Sequence, residues 1–530
     1  MVGVPGRSKG CHTCRRRKKG CDGQRPCCGQ CQKARIECHG YERQWIFVNV
    51  TSPPIIGPGS DTSTARSTPE IALPASLSKS AYEEKYLDMF WDLYLPEGSA
   101  SIQVMARYSL ITWVPAVLDL RHKDPALNKA LLALCLGTIG NLRNTRWMSE
   151  ESLKLYAGAV SDMNLGLKSK SRRRSDALLL ATRTLGLYEL ICGLHDENEA
   201  SITWANSWQG HNLGQMGLVM QRTPEAHVDG HAHDLFVDAR MNVTNALVVL
   251  RRRSALSDAT WKTVPWTKIL KPPTDVLYDI IGDIPSLLED SDRLNLCCDP
   301  IERATLLRKL VEDCWNIDTD LTWWFESLSP RDELENLRSR GFTSPSTAEF
   351  AASHVMTMYW AACVTAYGVF RQVLANHSPA DLFNLPDRTN PQAYCCAIIE
   401  LSDMFFEKAS GVFGKHTILF PLGMAYAYLL STEVEGFTSP EMHKMQLYFQ
   451  RPQCGRRVQR FMHSMLSAGP DLADEILSDS QCFRARARAW LGMVPVTPPE
   501  SPESDFGQIL NDCYWIPSEG CSDAGTSTPI

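Results

Sequence analysis

Residues 11–38 read CHTCRRRKKGCDGQRPCCGQCQKARIEC, and their cysteines decide how the first part of the chain folds. Six of these cysteines follow a C-x2-C-x6-C spacing that occurs twice, seventeen residues apart: Cys11, Cys14 and Cys21, then Cys28, Cys31 and Cys38. Two copies of one pattern predict two equivalent half-sites. Dense, regularly spaced thiols in a reducing compartment indicate a metal centre rather than disulfides.

The count of thiols predicts how the metal is shared. Structural zinc is four-coordinate, so two ions need eight bonds to sulfur, while six thiolates used once each supply six. The difference disappears if two thiolates bridge both ions, and we place the bridges at Cys11 and Cys28, the first ligand of each half. Cys27 breaks the repeat and is expected to be a spare thiol. A single zinc, or an iron–sulfur cluster, would leave the matched x6-C arms unexplained.

Five consecutive cations at residues 15–19 stand between the second and third cysteines of a chain whose formal net charge is -6. Residues 1–43 carry a net charge of +8, which leaves -14 for the rest. A basic head on an acidic body predicts a polyanionic partner for the head alone. A nuclear localisation signal is the simpler alternative, and the two roles can coexist. In the second half-site, Lys33 and Arg35 are expected to form a solvated face.

The stretch resembles the fungal two-zinc, six-cysteine cluster family of transcription factors, and it includes the Cys21-Asp22 pair and the loop proline Pro26 common in that family. The resemblance covers about 30 of 530 residues. It implies two zinc ions held by the six cysteines, double-stranded DNA as the partner, the nucleus as the location, and a helix after Cys14 that enters the major groove.

The resemblance also implies which cations contact DNA: Arg15, Arg17, Lys18 and Lys19. Lys18, with its neighbour Arg17, would read a CGG-like triplet, since Arg or Lys donating to guanine O6 and N7 is the expected chemistry. Arg15 would contact phosphate. Gly20 stands where many relatives carry a basic residue, so we expect Lys19 to supply that phosphate contact instead.

Composition divides the whole chain into four parts: a DNA-binding cluster domain at 1–43, a flexible linker at 44–80, an all-α regulatory body at 81–492 and a disordered acidic tail at 493–530. The linker is rich in Ser, Thr, Pro and Gly, as flexible connections are. Apolar residues of the body recur mostly at helical spacing, with one short strand-like run at 45–50 as the exception. We therefore predict a mainly α fold class.

Two apolar runs bear on dimerisation and on membrane association. Four residues fall at heptad-like intervals: Tyr82, Tyr86, Met89 and Leu93. Pro96 ends this run after two heptads, so no dimerising zipper is predicted, and homodimers and heterodimers are left open. Val355 to Phe370 is an uncharged run of sixteen residues. It is marginal for a bilayer span, and we predict a buried helix and no membrane association.

The body resembles the α-helical regulatory domain found in many of these fungal factors. Three features carry this resemblance: the Tyr188-Glu189 pair, the segment WQGHNLG around His211, and FPLGMA from Phe420 to Ala425. The resemblance implies a regulatory role for the body. Target genes, the sign of regulation and any effector are left open.

No catalytic motif is present in the body, which contains no G-x-S-x-G, G-x-x-x-x-G-K-[ST], H-E-x-x-H or G-x-G-x-x-G, so we do not predict an enzyme. The histidine-rich run EAHVDGHAHD at 225–234 could suggest a metal site, but Gly230 breaks its helical spacing and a polar loop is favoured. The pairs Cys297-Cys298 and Cys395-Cys396 are expected to be buried, reduced thiols.

Residues 496–530 contain six Asp/Glu and no Lys or Arg, interleaved with bulky apolar residues. Coactivator binding and a plain disordered tail both fit this composition. The N-terminal MVGVPGRSKG has no apolar run of the length that a secretory signal needs. Two alternatives to DNA reading are a zinc-stabilised module that binds an acidic protein, and a helical body that binds a small molecule while the basic head only directs location.

Overall fold

A computed structural model of the protein describes a set of segments that covers most of the chain: residues 11–24, 27–38, 75–193, 201–433, 438–451, 484 and 486–488. Within them, the side chains of His12, Arg15, 75–79 and 201–206 are not described. The chain divides into two compact units, 1–72 and 73–530. The strand-like run at 45–50 and the acidic tail lie outside the described residues, as does the predicted linker up to residue 74.

The first unit contains two short helices, α1 (His12–Arg16) and α2 (Gly29–Lys33). Both are followed by a residue in the left-handed region, Lys18 with φ 52° and Arg35 with φ 49°. The next N–H closes each turn: Lys19 N donates to Cys14 O at 3.0 Å, and Ile36 N donates to Cys31 O at 3.1 Å. This hydrogen bond and the left-handed residue form a C-terminal cap that ends a helix. The sequence repeat is therefore also a structural repeat.

The second unit is built from nineteen α-helices among its described residues: α3 Ala75–Tyr94, α4 Ile102–Ala106, α5 Trp113–Leu120, α6 Pro125–Arg143, α7 Arg146–Leu167, α8 Asp176–Cys192, α9 Ser201–Met220, α10 Gly230–Leu250, α11 Ala259–Thr263, α12 Pro273–Ile281, α13 Ile284–Leu296, α14 Pro300–Leu328, α15 Arg331–Ser339, α16 Thr347–His377, α17 Pro379–Leu382, α18 Pro391–Phe406, α19 Gly411–Thr417, α20 Leu419–Thr432 and α21 Pro440–Phe449. Short 3-10 turns connect several of them. No strand occurs in the segments that the structure describes, and the mainly α prediction is confirmed.

Helix α3 carries the heptad-like residues and begins at Ala75, inside the range predicted as linker. Three of its four heptad-like residues pack against an apolar cluster from α6 and α7: Tyr86, Met89 and Leu93. The fourth, Tyr82, is exposed. The stripe therefore takes part in packing within the body.

Helix α16 is the longest of the described helices and lies at the centre of the C-terminal half of the body. A capping box begins it, in which the Ser346 side chain accepts from the Glu349 N–H and the Glu349 carboxylate accepts from the Ser346 N–H. Every residue of the uncharged run 355–370 is buried, because α16 packs against α13, α14, α15, α18 and α20. The prediction of a buried helix is confirmed. None of the helices in the described segments has the length and apolar character needed to cross a bilayer.

Helix α10 is joined to α12 by a buried ion pair. Arg240 Nη2 lies 2.7 Å from Asp275 Oδ1, and Arg240 Nη1 lies 2.6 Å from Asp279 Oδ1. The Ser109 hydroxyl also donates to Asp275. Burial raises the pKa of Asp275, while Arg240 opposes that rise. The carboxylate therefore depends on its cation for a charged state in the core.

The outcome for the paired cysteines differs from the expectation of burial. Cys395 is buried, but Cys396 is only half-buried, and Cys298 is exposed next to a half-buried Cys297. Cys297 and Cys298 directly precede Asp299, whose carboxylate caps α14 by accepting from two backbone N–H groups. This cap lies at the surface of the body, and it keeps the two preceding thiols near solvent. The prediction of burial is wrong for the pair Cys297-Cys298.

We predict that Arg240→Leu lowers the free energy of unfolding by roughly 3–5 kcal/mol, because Asp275 then loses the cation that compensates its burial. The matched control is Arg146→Leu, since Arg146 pairs with Glu150 but is 92% exposed. Its effect should stay below about 1 kcal/mol. Urea unfolding followed by circular dichroism measures both. Equal effects of the two substitutions would contradict the prediction.

Candidate metal centre and nucleic-acid interface

The six repeated cysteines converge in the first unit. Four are fully buried and Cys21 and Cys38 are half-buried. Four contacts between buried sulfurs measure 3.5 to 3.9 Å: Cys11–Cys28 at 3.5 Å, Cys14–Cys28 at 3.6 Å, Cys11–Cys31 at 3.8 Å and Cys14–Cys31 at 3.9 Å. Two sulfurs on one tetrahedral zinc, each about 2.3 Å from it, lie about 3.8 Å apart. A disulfide would need about 2.05 Å. The spacing therefore fits thiolates gathered around metal.

The sulfurs form two groups of four, and within each group all ligand atoms lie within 4.8 Å of one another. One group is Cys11, Cys14, Cys21 and Cys28, and the other is Cys11, Cys28, Cys31 and Cys38. Cys11 and Cys28 belong to both groups, so six thiols provide two sets of four. Cys27 is half-buried and belongs to neither group.

Backbone N–H groups contact the sulfurs in the same pattern in both halves. Within each C-x2-C turn, the second cysteine's N–H lies near the first cysteine's Sγ, and the first cysteine's N–H lies near the Sγ of the x6 arm. The four distances are 3.3 Å for Cys14 N to Cys11 Sγ, 3.3 Å for Cys31 N to Cys28 Sγ, 3.3 Å for Cys11 N to Cys21 Sγ, and 3.5 Å for Cys28 N to Cys38 Sγ. N–H donors directed at sulfur stabilise thiolates.

The protonation of these thiols depends on metal. Burial raises the pKa of Cys28 and of Cys31 to about 12, and burial also raises the pKa of Cys14. Thiols with such pKa values are neutral near pH 7, whereas the metal ligand is the thiolate. A bound cation would have to displace the protons, so metal binding at this centre is linked to pH.

Asp22 connects the loop between the half-sites to the start of α2. Its Oδ1 accepts from the Gly29 N–H at 3.1 Å and from the Gln24 N–H at 3.3 Å. A Cβ on Gly29 would lie 2.5 Å from Asp22 Oδ2, so a larger residue there would displace the carboxylate. Sequence reasoning noted Asp22 only as part of the resemblance and missed this contact. The glycine directly after the Cys27-Cys28 pair was the available signal.

The cations of the first half-site are available to a partner. Arg16, Arg17, Lys18 and Lys19 are all exposed, and none forms an ion pair with a carboxylate within the described part of the chain. The side chain of Arg15 lies outside the described residues. The sequence placed Lys18 on a helix after Cys14. The structure instead ends α1 at Arg16 and puts Lys18 in the capping turn, because the Lys19 N–H bonds back to Cys14 O.

The two half-sites differ in charge although their backbones match. The positions equivalent to residues 15–19 are residues 32–36, which read QKARI. Five cations in the first half correspond to two in the second, Lys33 and Arg35, and both are exposed. The end of α1 is therefore the more basic surface of this unit.

The histidine-rich run of the body does not form a ligand group in the structure. His227 Nδ1 lies 3.0 Å from Ala232 O, and His233 Nδ1 lies 3.0 Å from His227 O. His231 Nε2 lies 3.0 Å from Asp119 Oδ2. The histidines bond to separate partners around the start of α10, in agreement with the expectation of no metal site there. The expected polar loop is wrong, because α10 begins at Gly230 and both His227 and His233 are buried.

Residues 9–45 match the family model of the fungal Zn(2)-Cys(6) binuclear cluster domain. Comparison with curated proteins and with solved structures gave no significant match. The matched family is one of zinc-binding, DNA-binding transcription factors, typically nuclear, and its cluster domain binds two zinc ions. The match covers the head and not the helical body, so the regulatory domain there rests on sequence resemblance alone.

Proposed function

We propose that this chain, which carries a fungal Zn(2)-Cys(6) binuclear cluster domain at residues 9–45, is a nuclear regulator of RNA polymerase II transcription that reads a CGG-like triplet in double-stranded DNA. The observation that carries this proposal is the set of exposed cations after α1. Their side chains have no carboxylate partner among the described residues, although the chain as a whole is acidic. Cations held beside a metal centre without internal partners are suited to phosphates and base edges.

In this proposal the six cysteines hold the two zinc ions in two sites. Cys14 and Cys21 would hold one ion, Cys31 and Cys38 would hold the other, and the two shared thiolates, Cys11 and Cys28, would serve both. Six thiolates and two divalent ions leave a charge of about -2, which the neighbouring cations offset. Helices of five residues are too short to persist alone, so we expect metal binding and folding of this unit to be coupled.

Each cation of the first half-site is assigned either a base contact or a phosphate contact. Lys18 and Arg17 would donate to guanine O6 and N7 in the major groove. Arg15 and Lys19 would contact phosphate, which positions the unit without reading sequence. The second half-site has only Lys33 and Arg35 and would at most contact the backbone. The difference in charge between the matched halves supports this assignment.

We assign the remaining parts of the chain by composition and fold. The helical body would regulate the activity of the DNA-binding unit, and the acidic tail would contact coactivators. The linker, predicted at 44–80 and shortened by the start of α3 at Ala75, would let the DNA-binding unit at 1–43 search for its site independently of the body. Homodimers and heterodimers are both compatible with this organisation.

Binding to DNA should depend steeply on salt, and this distinguishes DNA from an acidic protein as the partner. With about five phosphate contacts, the purified full chain should bind a CGG-containing duplex with a log–log slope near -4.5 against salt concentration. Fluorescence anisotropy between 50 and 200 mM salt, a range over which a slope of -4.5 lowers the affinity about five-hundredfold, measures the slope. A flat response would contradict DNA binding and favour the protein-interaction alternative.

We predict that Cys28→Ser abolishes tight binding of both zinc ions, because each ion loses one of its four ligands. Cys27→Ser is the matched control in the adjacent residue and should keep two ions per chain. Elemental analysis of the full chain after dialysis against a chelator measures the number of zinc ions per chain. Retention of two tightly held ions in Cys28→Ser would show that this thiolate is not a bridge.

We predict that Lys18→Ala weakens binding to the cognate triplet by roughly 1–3 kcal/mol and leaves much of the nonspecific affinity. The control is Arg35→Ala, the equivalent position of the second half-site, where the backbone is also left-handed. Arg35→Ala should weaken binding to all duplexes slightly and equally. If Lys18→Ala instead weakens binding to cognate and scrambled duplexes to the same extent, Lys18 contacts phosphate and does not read the triplet.

A further inference from the structure

The helical body contains a cavity of about 110 Å³. Its walls come from both halves of the body, with α8, α9 and α10 on one side and α16, α19 and α20 on the other. Protein cores normally pack with few voids larger than a water molecule, and an unfilled cavity destabilises the fold. This cavity is partly open, so a small molecule could enter it and fill the space between the two sets of helices.

Three side chains in the cavity wall have a buried polar atom with no hydrogen-bond partner among the described residues. One is the half-buried Asn245, at Oδ1, and the two that are more deeply buried are the Gln215 amide, at Nε2, and the His354 imidazole, at Nδ1. Gln215 is 2% exposed and His354 is 3% exposed. Buried polar atoms almost always have a partner in native proteins. Both residues line the same cavity, so one occupant could satisfy both atoms.

The cavity wall carries no net charge. Its one arginine, Arg183, pairs with its one carboxylate, Asp238, at 2.6 Å. Burial lowers the pKa of His211 and of His354 to about 4, and that of His416 to about 3. These imidazoles are neutral at pH 7. An ionised ligand would lose its hydration without gaining a free counter-charge, which is costly, so the wall selects an uncharged ligand.

The apolar part of the wall is aromatic and methionine-rich. Its rings and thioethers include those of Trp113, Trp208, Phe413, Phe420, Met358 and Met424. Aromatic side chains stack on planar rings, and methionine adapts to irregular shapes. A cavity of roughly 150 Å³ holds one benzene ring in a well-packed core. The volume found in this body is of the same order, and the cavity is partly open rather than enclosed, so it suits a ligand with a single ring and a small polar group.

We propose that this cavity is a binding site for a small, uncharged aromatic molecule that carries an amide-like group, which accepts from Gln215 Nε2 and bonds to His354 Nδ1. An amide both donates and accepts, so it serves His354 in either tautomer. The ligand contacts helices from both halves of the body. The site does not rest on DNA binding by the head, and each proposal can fail without the other.

The test uses three molecules of nearly the same shape and different charge: benzamide, benzoate and benzamidinium. Saturation-transfer NMR and isothermal titration with the purified full chain measure their binding. Benzamide should bind with a Kd of about 1 mM or tighter, as its size allows, and each ion should bind at least tenfold more weakly. Equal binding of all three, or no binding of benzamide, would overturn the proposal, and a cavity holding only water gives the second result.

Two substitutions locate the binding to the cavity. A Cβ on Gly423 meets no atom within 4 Å, and Gly423 lines the cavity. Gly423→Leu should fill the void, abolish benzamide binding and keep or raise Tm, since leucine also favours the helix. Gly158→Leu is the matched control on α7, outside the cavity wall, where the three atoms nearest to a Cβ all belong to the flexible Lys129 side chain. It should bind benzamide as the unsubstituted protein does.

Gln215→Leu provides a second variant that does not depend on how Gly423→Leu folds. It removes the unpartnered amide and keeps a similar volume, so Tm should be retained while the Kd for benzamide rises at least tenfold. Unchanged benzamide binding in both Gly423→Leu and Gln215→Leu would place the ligand elsewhere and overturn the proposal.

Discussion

The sharing of Cys11 and Cys28 between two groups of four sulfurs is the constraint on which the N-terminal unit depends. Six thiols can satisfy two four-coordinate ions only when two of them are used twice. Burial keeps the thiols of Cys28 and Cys31 protonated unless a cation displaces the protons. The two helices of the N-terminal unit span five residues each. Helices this short are not stable alone in water. Metal content, protonation and folding are therefore linked in this unit.

The convergence of the six cysteines also explains how an acidic chain can maintain a basic surface. In the body, many cations lie against carboxylates of their own chain, as Arg240 does with Asp275 and Arg183 with Asp238. The cations after α1 have no such partner in the described segments, and their mutual repulsion opposes folding. Bonds from two metals to six sulfurs could hold the backbone despite that repulsion, which would leave Arg17, Lys18 and their neighbours free for phosphate and guanine.

The body brings together segments that are distant in sequence. Tyr156 stacks on Tyr188, and its hydroxyl bonds to Glu189 and to His211 Nε2. His211 in turn lines the cavity, together with Phe420 and other residues of α20. The three features that suggested a regulatory body thus lie at or next to one cavity, where the two sets of helices meet. A ligand bound there would change how these sets pack, and this gives the body a physical means of responding to a small molecule.

The sequence by itself determined the metal centre and the fold class. Cysteine spacing and zinc coordination number predicted which thiols are shared, and helical periodicity predicted the buried run 355–370, because both depend on local chemistry. Only the tertiary structure decided features that need distant atoms in contact. A single hydrogen bond from Lys19 to Cys14 ends α1 before Lys18, and the cap at Asp299 keeps Cys298 at the surface. The cavity arises where helices from two halves of the body fail to fill the space between them, and no local pattern encodes that volume.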